Sequence, residues 1–556
     1  MIKQTGAELT VALLERQGIT QIAGIPGGTN LPLYDTLSRS NIRHILARHE
    51  QGAGFIAQGM ARATGRPAVC FATSGPGATN LLTALADAKL DSIPLVCITG
   101  QVPLPLIGSD AFQEVDIYGM SLPVTKHNFL VRSAEELLTV IPDAFRIASS
   151  GRPGPVLVDI PKDIQQAECQ FRQWPEQGRP ELPPSPDSPA VEAAANMIRE
   201  AERPVLYLGG GVIHAGVTPL IRELAERCDL PAVMTLMALG VIAHDHPLSL
   251  GMLGMHGAVA TNHALQRADL LITLGARFDD RATGKVTEFC PKARVIHCDT
   301  DASELHKVRR ADCPLTGGMA ATLEALLSRL EIQDRSPWRA EINELKRIYP
   351  APARGTDLRR PQDLIRSVAE ALDPETIVAT DVGQHQMWTA QVYPFSRPRQ
   401  WLTSGGLGTM GFGLPAAIGA ALGEPGRRVV CFSGDGSLLM NLQELATASE
   451  LNLNLKLVLL NNGALGLVRQ QQDLFYDGNR FASDFGAGPD FCAIAKGFGW
   501  PALDLAESGF DAERLNQALN APGPQFIHAP IEEAARVYPM VPPGGANHQM
   551  LTGAEQ

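Results

Sequence analysis

Two short polar motifs, each at the end of a predicted strand, have the residue types of a site for a metal ion and a diphosphate. The segment Gly434–Ser437 (GDGS) follows the apolar run Val429–Ser433, and Asn461-Asn462 ends the next such run. Mg²⁺ prefers oxygen ligands and often bridges a protein carboxylate to phosphates. Asp435 and Asn462, with a nearby backbone carbonyl, could supply those oxygens, and the flanking glycines let the backbone approach phosphate. A GDGS segment seen alone is usually only a turn, but the pair of motifs favours the metal site.

Two other polar segments carry groups suited to hydrogen bonding and proton transfer. Asp381–Gln386 (DVGQHQ) follows a predicted strand, and its Gln384 and His385 could donate to a diphosphate, although a surface loop would look similar. Glu50 lies just ahead of a helical run. A general acid–base role needs a carboxyl group whose pKa is tuned by its surroundings. In isolation, however, such a Glu is more often a solvated acid at the start of a helix.

The elements that position these residues are apolar runs bounded by glycine, most of which lead into helical patterns. Strands that alternate with helices predict parallel, doubly wound sheets, so the predicted fold class is α/β. Ligands of such sheets bind beyond the carboxyl ends of the strands, where the motifs above lie. The predicted strands are Ala68–Thr73, Leu95–Thr99, Val205–Leu208, Leu270–Leu274, Val295–Cys298, Ile377–Thr380, Val429–Ser433 and Leu455–Leu460.

The chain of 556 residues is too long for one hydrophobic core, and two segments interrupt the alternation of strands and helices. Residues 172–189 are rich in Pro and acidic residues and are interpreted as an exposed linker. Residues 331–361 are charged and contain several Pro, which indicates a second connector with some helix. The predicted domains are residues 1–170, 188–330 and 360–535, and a tail covers residues 536–556.

Composition narrows the classes of partner. The formal charge of −12 argues against a nucleic acid or an anionic membrane, because both need a concentrated basic surface. The nine Cys contain no CxxC pair, which favours buried free thiols in a reducing, cytoplasmic compartment. Met1–Gly18 mixes charged and apolar residues, so it is interpreted as an amphipathic helix and not as a signal peptide.

A set of sequence blocks extends along nearly the whole chain: GIPGG (24–28), RHEQGAGFIAQGMARATG (48–65), TSGPGATN (73–80), DAFQEVD (110–116), LGARFDDR (274–281), DVGQHQMWTAQ (381–391) and SGGLGTMGFGLPAAIGAAL (404–422). Together these blocks resemble acetohydroxyacid synthase, a family of thiamine-diphosphate enzymes. That family decarboxylates pyruvate and joins the two-carbon fragment to pyruvate, giving 2-acetolactate, or to 2-ketobutyrate, giving 2-aceto-2-hydroxybutyrate. This is the first common step of branched-chain amino-acid biosynthesis.

The resemblance implies a role for each matching residue. Glu50 would be the carboxyl group beside the aminopyrimidine ring of the cofactor, and Gly28 and Gln113 would flank the reacting carbonyl. Substrate-binding positions would be Phe112, Pro103, Lys162, Arg281 and Gln471. Mg²⁺ would be held by Asp435, Asn462 and the backbone carbonyl of Ala464. Thiamine diphosphate would contact Val382, Gly383, Gln384, His385, Met410, Gly434, Gly436 and Ser437.

The middle domain resembles the family's FAD-binding pattern. The implied flavin contacts are Arg152, Gly209, Gly210, Gly211, Arg277 and Asp299. A glycine triplet alone is weak evidence for this. Because the joining reaction involves no net oxidation, the flavin would be structural or a relic of an oxidase ancestor. Arg281 would grip the carboxylate of the second ketoacid through its guanidinium fork, although a salt bridge to Asp279 or Asp280 is the plain alternative.

The chain departs from the family's pattern at two positions. Gly463 stands where many members have Glu, just before the expected carbonyl ligand. Gln471 stands where many members have a Trp that favours 2-ketobutyrate, which resembles the isozyme I type. The hypothesis is therefore that 2-acetolactate formation competes well with the 2-ketobutyrate reaction, since one apolar contact is worth only about 1–3 kcal/mol.

Other functions and the assembly remain open at this level. A pyruvate oxidase would have the same cofactors, and a catalytically dead regulatory homologue would share the fold. Glyoxylate carboligase lacks the acid that Glu50 supplies. The family resemblance implies a homodimer or tetramer with active sites at the interface, and a separate small regulatory subunit.

Overall fold

The computed structural model describes residues 1–486 and 488–553, so the end of the predicted tail 536–556 lies outside the described residues. The described chain forms three six-stranded sheets and one two-stranded sheet. Neighbouring strands in every six-stranded sheet are parallel, and helices connect most of them. The predicted doubly wound α/β fold is confirmed.

The N-terminal part of the chain forms the first six-stranded sheet and a small antiparallel pair. Its strands are β1 (Ile2–Thr5), β2 (Gln21–Gly24), β3 (Arg43–Leu46), β4 (Ala68–Ala72), β5 (Leu95–Gln101), β6 (His127–Leu130), β7 (Pro155–Pro161) and β8 (Glu168–Phe171). Its helices are α1 (Gly6–Arg16), α2 (Leu31–Leu37), α3 (Glu50–Thr64), α4 (Pro76–Asn80), α5 (Leu82–Leu90), α6 (Ile117–Ser121), α7 (Leu137–Ser149) and α8 (Lys162–Gln166). The sheet order is β3-β2-β4-β5-β7-β6, and β1 pairs with β8. Every residue of β4, β5 and β7 is buried, as expected for central strands of a parallel sheet.

The predicted helix over Met1–Gly18 is wrong at its start. Its first residues form β1, which pairs with β8, and the helix begins only at Gly6. The Thr5 hydroxyl accepts from the Glu8 N–H at 3.3 Å, and the Thr5 N–H donates to the Glu8 carboxylate at 2.8 Å. This capping box fixes the helix start, because the capping residue itself has an extended backbone.

The middle part of the chain forms the second six-stranded sheet. Its strands are β9 (Pro204–Leu208), β10 (Ala232–Met234), β11 (Ser249–Met252), β12 (Leu270–Leu274), β13 (Arg294–Asp299) and β14 (Cys313–Thr316). Its helices are α9 (Ser188–Glu200), α10 (Gly210–His214), α11 (Thr218–Arg227), α12 (Val259–Arg267), α13 (Asp280–Thr283), α14 (Met319–Leu327) and α15 (Ser336–Ile348). The sheet order is β11-β10-β9-β12-β13-β14. Helix α15 is the helix expected in the connector 331–361.

The C-terminal part forms the third six-stranded sheet. Its strands are β15 (Ile377–Thr380), β16 (Trp401–Leu402), β17 (Val429–Gly434), β18 (Leu455–Asn461), β19 (Ala502–Asp504) and β20 (Gln525–Pro530). Its helices are α16 (Pro361–Ala371), α17 (Gln384–Val392), α18 (Gly413–Gly423), α19 (Asp435–Leu438), α20 (Glu444–Glu450), α21 (Gly466–Phe475), α22 (Phe491–Gly497) and α23 (Ala512–Asn520). The sheet order is β16-β15-β17-β18-β20-β19. Within the described residues, every helix is too short or too polar to span a lipid bilayer.

Helices α3 and α18 join the first and third sheets at unusually close range. A Cβ atom on Gly59 would lie 2.1 Å from the carbonyl oxygen of Ala416, and one on Gly419 would lie 1.9 Å from that of Ile56. Only glycine fits at these two points, because a side chain would push the two backbones apart.

A buried ionic network crosses the same junction. Arg62, on α3, donates to Asp87 at 3.0 Å and to Asp91 at 2.9 Å, and all three side chains are buried. Asp87 also accepts from the Thr409 hydroxyl at 2.9 Å, and Asp91 accepts from the Gly406 N–H at 2.8 Å. The network therefore ties the first sheet's helices to the loop that precedes α18.

Asp159, on β7, gives a prediction for the pH dependence of stability. Burial raises the pKa of its carboxyl group from 3.8 to about 7, although Thr99 and Gln101 donate to it. The native state therefore holds a proton that the unfolded state releases above pH 4, so stability falls as pH rises from about 4 to 7.

We expect Asp159→Asn to remove this contribution, about 1 kcal/mol for each pH unit in that window. The amide can still bond to Thr99 and Gln101. Urea unfolding midpoints at pH 4.5 and 8 for both chains measure the effect, and parallel pH profiles would contradict the assignment.

Candidate active site

The two motifs proposed for metal binding lie together at the carboxyl edge of the third sheet. Strands β17 and β18 are neighbours, with Gly434 opposite Leu460. Asp435 begins α19, and Asn462 follows the last residue of β18. Burial raises the pKa of Asp435 to about 6, while backbone N–H groups that include those of Gly463 and Ala464 lower it. The Asp435 carboxylate therefore faces the 461–464 loop, and a bound cation would offset the cost of burying its charge.

The 461–464 loop is held by hydrogen bonds to both asparagines. The Gly463 N–H donates to the Asn461 side chain at 3.0 Å, and the Ala464 N–H donates to the Asn462 side chain at 3.1 Å. Gly463 has φ +65°, a left-handed conformation that suits glycine better than a residue with a side chain such as Glu. Gly463 is thus compatible with an ordered metal loop.

A buried histidine with a free ring nitrogen lies beside Gly434, next to Asp435 in the chain. His385 is buried, and its Nε2 has no hydrogen-bond partner in the part of the chain that is described. Burial lowers the pKa of His385 to about 3, so the ring is neutral at physiological pH. A Cβ on Gly434 would lie 2.9 Å from the His385 ring, so glycine is needed there. An unpaired buried polar atom of this kind fits a site that a bound ligand completes.

The rest of the proposed diphosphate cradle is locked by protein contacts. The Ser437 hydroxyl donates to the Val382 carbonyl at 2.7 Å. The Gln384 amide donates to Gln470 at 3.0 Å and to the Ala535 carbonyl at 3.1 Å, and it accepts from Asn462 at 3.0 Å. Both N–H groups of the Gln384 amide therefore already donate to protein atoms. Donation to a diphosphate would replace one of these hydrogen bonds, and it stays a prediction.

Asp381 positions the loop that carries Met410, and sequence reasoning assigned it no role. Its buried carboxylate accepts from the Gly411 N–H at 2.7 Å and from the Ser433 hydroxyl at 3.0 Å. Burial raises its pKa to about 6. The sequence did indicate a position of this kind, because Asp381 directly follows β15, at the carboxyl end of a strand.

Glu50 and Gly28 lie at the carboxyl edge of the first sheet. Glu50 is the first residue of α3, and its Oε2 accepts from the Asn80 amide at 2.9 Å. Asn80 was not predicted, although it lies in the block TSGPGATN. Gly28 is exposed in the turn after β2, and its N–H has no partner among the described residues. A Cβ there would meet no atom within 4 Å, so the space beside the Gly28 Cα is open.

The loop after β5 brings further candidates to the same edge. Gln113 has φ +60°, and its carbonyl oxygen would lie 2.8 Å from a Cβ on Gly75, so the two backbones touch. Phe112 is 88% exposed, which leaves a large apolar side chain free to contact a substrate or another chain. Pro103 follows β5, and Lys162 follows β7, so both also lie at this edge.

The proposed flavin residues follow three adjacent strands of the second sheet. Gly209 follows β9, Arg277 lies shortly after β12, and Asp299 ends β13. A Cβ on Gly209 would lie 2.1 Å from the Gly275 carbonyl, and one on Gly211 would lie 2.7 Å from the Gly275 Cα. Gly209 and Gly211 therefore allow the backbone to pass close to the protein's own turn after β12, and this contact does not by itself indicate a ligand.

The donors near that turn still suit a pyrophosphate. Gly210 begins α10, and a Cβ there would meet only Met237 at 3.2 Å and beyond. Within the described residues Arg277 has no carboxylate at ion-pair distance, and its charge acts on Asp279 only from farther away. Arg152 donates to the buried Glu304 at 2.8 Å, which links the first and second sheets. Burial raises the pKa of Asp299 to about 6.

Arg281 lies on α13, which the C-terminal tail supports. Its guanidinium is 3.8 Å from Asp280, and both side chains are largely exposed, so this pair is weak. Asp279 instead caps α13 by accepting from the Arg281 N–H at 3.1 Å. The Asn547 amide of the tail donates to the Ala282 carbonyl at 2.7 Å.

The tail is also tied to the third sheet. The side chain of Gln470 donates to the Val537 carbonyl and accepts from its N–H, each at 2.9 Å. Gln471, one residue along, is exposed. Sequence reasoning missed Gln470 because its partners are far away along the chain. The tail thus connects α21 with the helix that carries Arg281.

The comparisons with known proteins cover nearly the whole chain. Models of the thiamine pyrophosphate enzymes match residues 4–120 (N-terminal TPP binding domain), 191–326 (central domain) and 381–529 (C-terminal TPP binding domain). The chain is 58% identical to the acetolactate synthase isozyme 1 large subunit of Escherichia coli K12, over 98% of this chain and 97% of that protein. The chain belongs to the acetolactate synthase large subunits.

Two further acetolactate synthases match the chain over 98% of its length. The isozyme 2 large subunit of Escherichia coli K12 is 48% identical, over 99% of its own length. The acetolactate synthase large subunit of Corynebacterium glutamicum is 46% identical, over 90% of its own length. Membership in this family makes the chain an enzyme that uses thiamine pyrophosphate, with its two cofactor-binding domains in the first and third parts of the chain.

Proposed function

We propose that this chain is an acetolactate synthase that decarboxylates pyruvate and transfers the two-carbon unit to pyruvate or 2-ketobutyrate. The products are 2-acetolactate and 2-aceto-2-hydroxybutyrate, precursors of the branched-chain amino acids. The observation that carries the proposal is the buried Asp435 carboxylate beside the 461–464 loop, with the unpaired Nε2 of His385 in the ring that lies against Gly434. These groups fit a magnesium-bound diphosphate.

The proposed cofactors are thiamine diphosphate, Mg²⁺ and FAD. Asp435, Asn462 and the Ala464 carbonyl would hold Mg²⁺, which prefers such oxygen ligands. Bound thiamine diphosphate supplies a nucleophilic carbon and accepts the electron pair left by decarboxylation. Gly210, Arg277 and Asp299 would hold FAD, with Arg152 nearby.

Glu50 is proposed to exchange a proton with the aminopyrimidine ring. Asn80 donates to one oxygen of its carboxylate, which fixes the side chain and leaves the other oxygen for the cofactor. A homodimer or tetramer is proposed from the family resemblance, with Glu50 serving a cofactor that is shared between subunits. A separate small regulatory subunit is expected for a large subunit.

The substrate side of the site is proposed from groups at the first sheet's edge and on α13. The free Gly28 N–H would stabilise negative charge on the reacting carbonyl, and Gln113 would lie on its other side. Phe112, Pro103 and Lys162 would line the channel. Arg281 would bind the carboxylate of the second ketoacid. The domain division 1–170, 188–330 and 360–535 is proposed with these roles.

A product assay tests the function directly. The purified chain is incubated with pyruvate, Mg²⁺, thiamine diphosphate and FAD, with and without a small regulatory subunit. Acetolactate is then quantified beside acetate and reduced flavin. We expect acetolactate. Acetate with reduced flavin would instead identify a pyruvate oxidase, and no product in any mixture would contradict the proposal.

Gln471 gives a prediction for the choice of the second substrate. We expect Gln471→Trp to raise the preference for 2-ketobutyrate over pyruvate by about 5- to 150-fold, because an apolar contact is worth about 1–3 kcal/mol. The ratio of the two products is measured with both ketoacids present. Gln517→Trp, on the exposed face of α23, is the control and should leave the ratio unchanged. Equal product ratios in all three chains would contradict the role of Gln471.

A further inference from the structure

Three polar side chains form a continuous hydrogen-bonded row across the carboxyl ends of β18, β20 and β19. Asn461 ends β18, His528 lies on the neighbouring β20, and Asp504 ends β19 directly opposite His528. The Asn461 amide lies 3.0 Å from His528 Nε2, and His528 Nδ1 lies 2.8 Å from the Asp504 carboxylate.

The direction of every hydrogen bond in this row is fixed by one backbone group. The Gly463 N–H can only donate, so its 3.0 Å partner is the Asn461 carbonyl oxygen. The Asn461 NH₂ group therefore points to His528 Nε2, which must accept. The proton of the neutral ring then sits on Nδ1 and is donated to Asp504.

Asp504 anchors the far end of the row. Its other oxygen accepts from the N–H groups of Ala506 at 2.8 Å and Glu507 at 3.2 Å. The side chains of His528 and Asp504 are 14% and 19% exposed, so solvent has little access to the bond between them. The row therefore ends in a turn of fixed backbone, and no member is free to rotate without losing a bond.

We propose that His528 and Asp504 are positioning residues, which hold Asn461 so that it shapes the metal-binding loop of Asn462 and Ala464. The Asn461 side chain is the point where this row meets that loop, through the Gly463 N–H. The inference rests on the proposed magnesium site. It adds two residues that lie outside the metal's own ligands, in the way that outer hydrogen bonds orient ligands at other metal centres.

The same region offers a competing arrangement. The ligand atoms of Cys492, Asp504 and His528 lie within 4.8 Å of one another, which would suit a transition metal. In that case Nδ1 would have to lose the proton that it donates to Asp504. Burial raises the pKa of the Cys492 thiol to about 11, which disfavours the thiolate that such a metal needs.

Direct metal binding tests the proposal. Full-length chains are titrated with Mn²⁺ in the presence of thiamine diphosphate, and free Mn²⁺ is measured by electron paramagnetic resonance. We expect His528→Ala to raise the Mn²⁺ dissociation constant about 10–100-fold, as loss of a partner that orients a ligand does elsewhere. At saturating Mn²⁺ and cofactor, its KM for pyruvate should equal that of the unmodified chain, since no substrate group has changed.

Two further variants make the result specific. Asp504→Asn keeps the volume of the side chain and should weaken Mn²⁺ binding in the same direction but less, which covers the case in which His528→Ala fails to fold. Cys492→Ala leaves the row intact and should bind Mn²⁺ normally.

Unchanged Mn²⁺ affinity in both His528→Ala and Asp504→Asn would overturn the inference and leave the proposed function standing. A stoichiometric zinc ion that is lost in Cys492→Ala would also overturn it. If the unmodified chain bound no Mn²⁺ at all, that result would contradict both the inference and the proposed metal site.

Discussion

Glu50→Gln is expected to lower kcat for acetolactate formation by about 10²–10⁴-fold, the usual worth of a positioned acid–base group. The amide keeps the shape of the side chain and can still bond to Asn80, so the fold and the affinity for thiamine diphosphate should survive. What is lost is the ability to give and take a proton at the cofactor's ring. Turnover and cofactor affinity are measured on the same preparation.

Two variants frame this result. Asn80→Ala removes the described hydrogen bond to Glu50 but leaves the acid, so a smaller loss of kcat is expected. Glu168→Gln changes an exposed carboxylate on β8 of the same domain and serves as the control. Normal turnover in Glu50→Gln would rule out the proton-transfer role, and equal losses in all three variants would indicate a general effect on the fold.

Arg62→Ala should have the largest effect on stability. The substitution leaves Asp87 and Asp91 buried at the junction of the first and third sheets without their counter-charge. Removal of one partner from a buried ion pair typically costs about 3–5 kcal/mol. The Gly405 and Gly406 amides and the Thr409 hydroxyl would still donate to the two carboxylates, but none of them carries a positive charge.

Urea unfolding followed by circular dichroism measures this loss. Arg39→Ala, which breaks an exposed i,i+4 pair with Asp35, is the matched control and should leave the unfolding midpoint unchanged. A double change, Arg62→Met with Asp91→Asn, should recover part of the stability, because one uncompensated charge is removed. An unfolding midpoint for Arg62→Ala equal to that of the control would contradict the role of the network.

Much of the scaffold followed from local pattern. Leu270–Leu274 and Ile377–Thr380 form strands with the predicted bounds, because continuous apolar runs between turn residues are buried on both faces of a parallel sheet. The helix expected over Met1–Gly18 failed at its start. There the pairing with Glu168–Phe171, far along the chain, decided the structure, and no local pattern records such a partner.

Some residues of the site were predicted from the sequence, and others were missed. Asp435 and Asn462 were located by motif and by the strands they follow, and the structure brings their segments together. Asn80, Gln470 and Asp381 were missed, because a single Asn, Gln or Asp in a sequence does not reveal what it bonds to. The roles of Glu50 and Arg281 stay predictions, since both depend on molecules that bind to the chain.

The glycine contacts between α3 and α18 also restrict which substitutions the gene can carry. A random library selected for growth without branched-chain amino acids should return glycine at positions 59 and 419, although neither touches a reactant. Substitutions in inactive clones would therefore lie at the contact between α3 and α18 as well as at the residues of the active site. Over evolutionary time the outer surfaces of both domains can drift, while these two positions keep the packing of the first domain against the third unchanged.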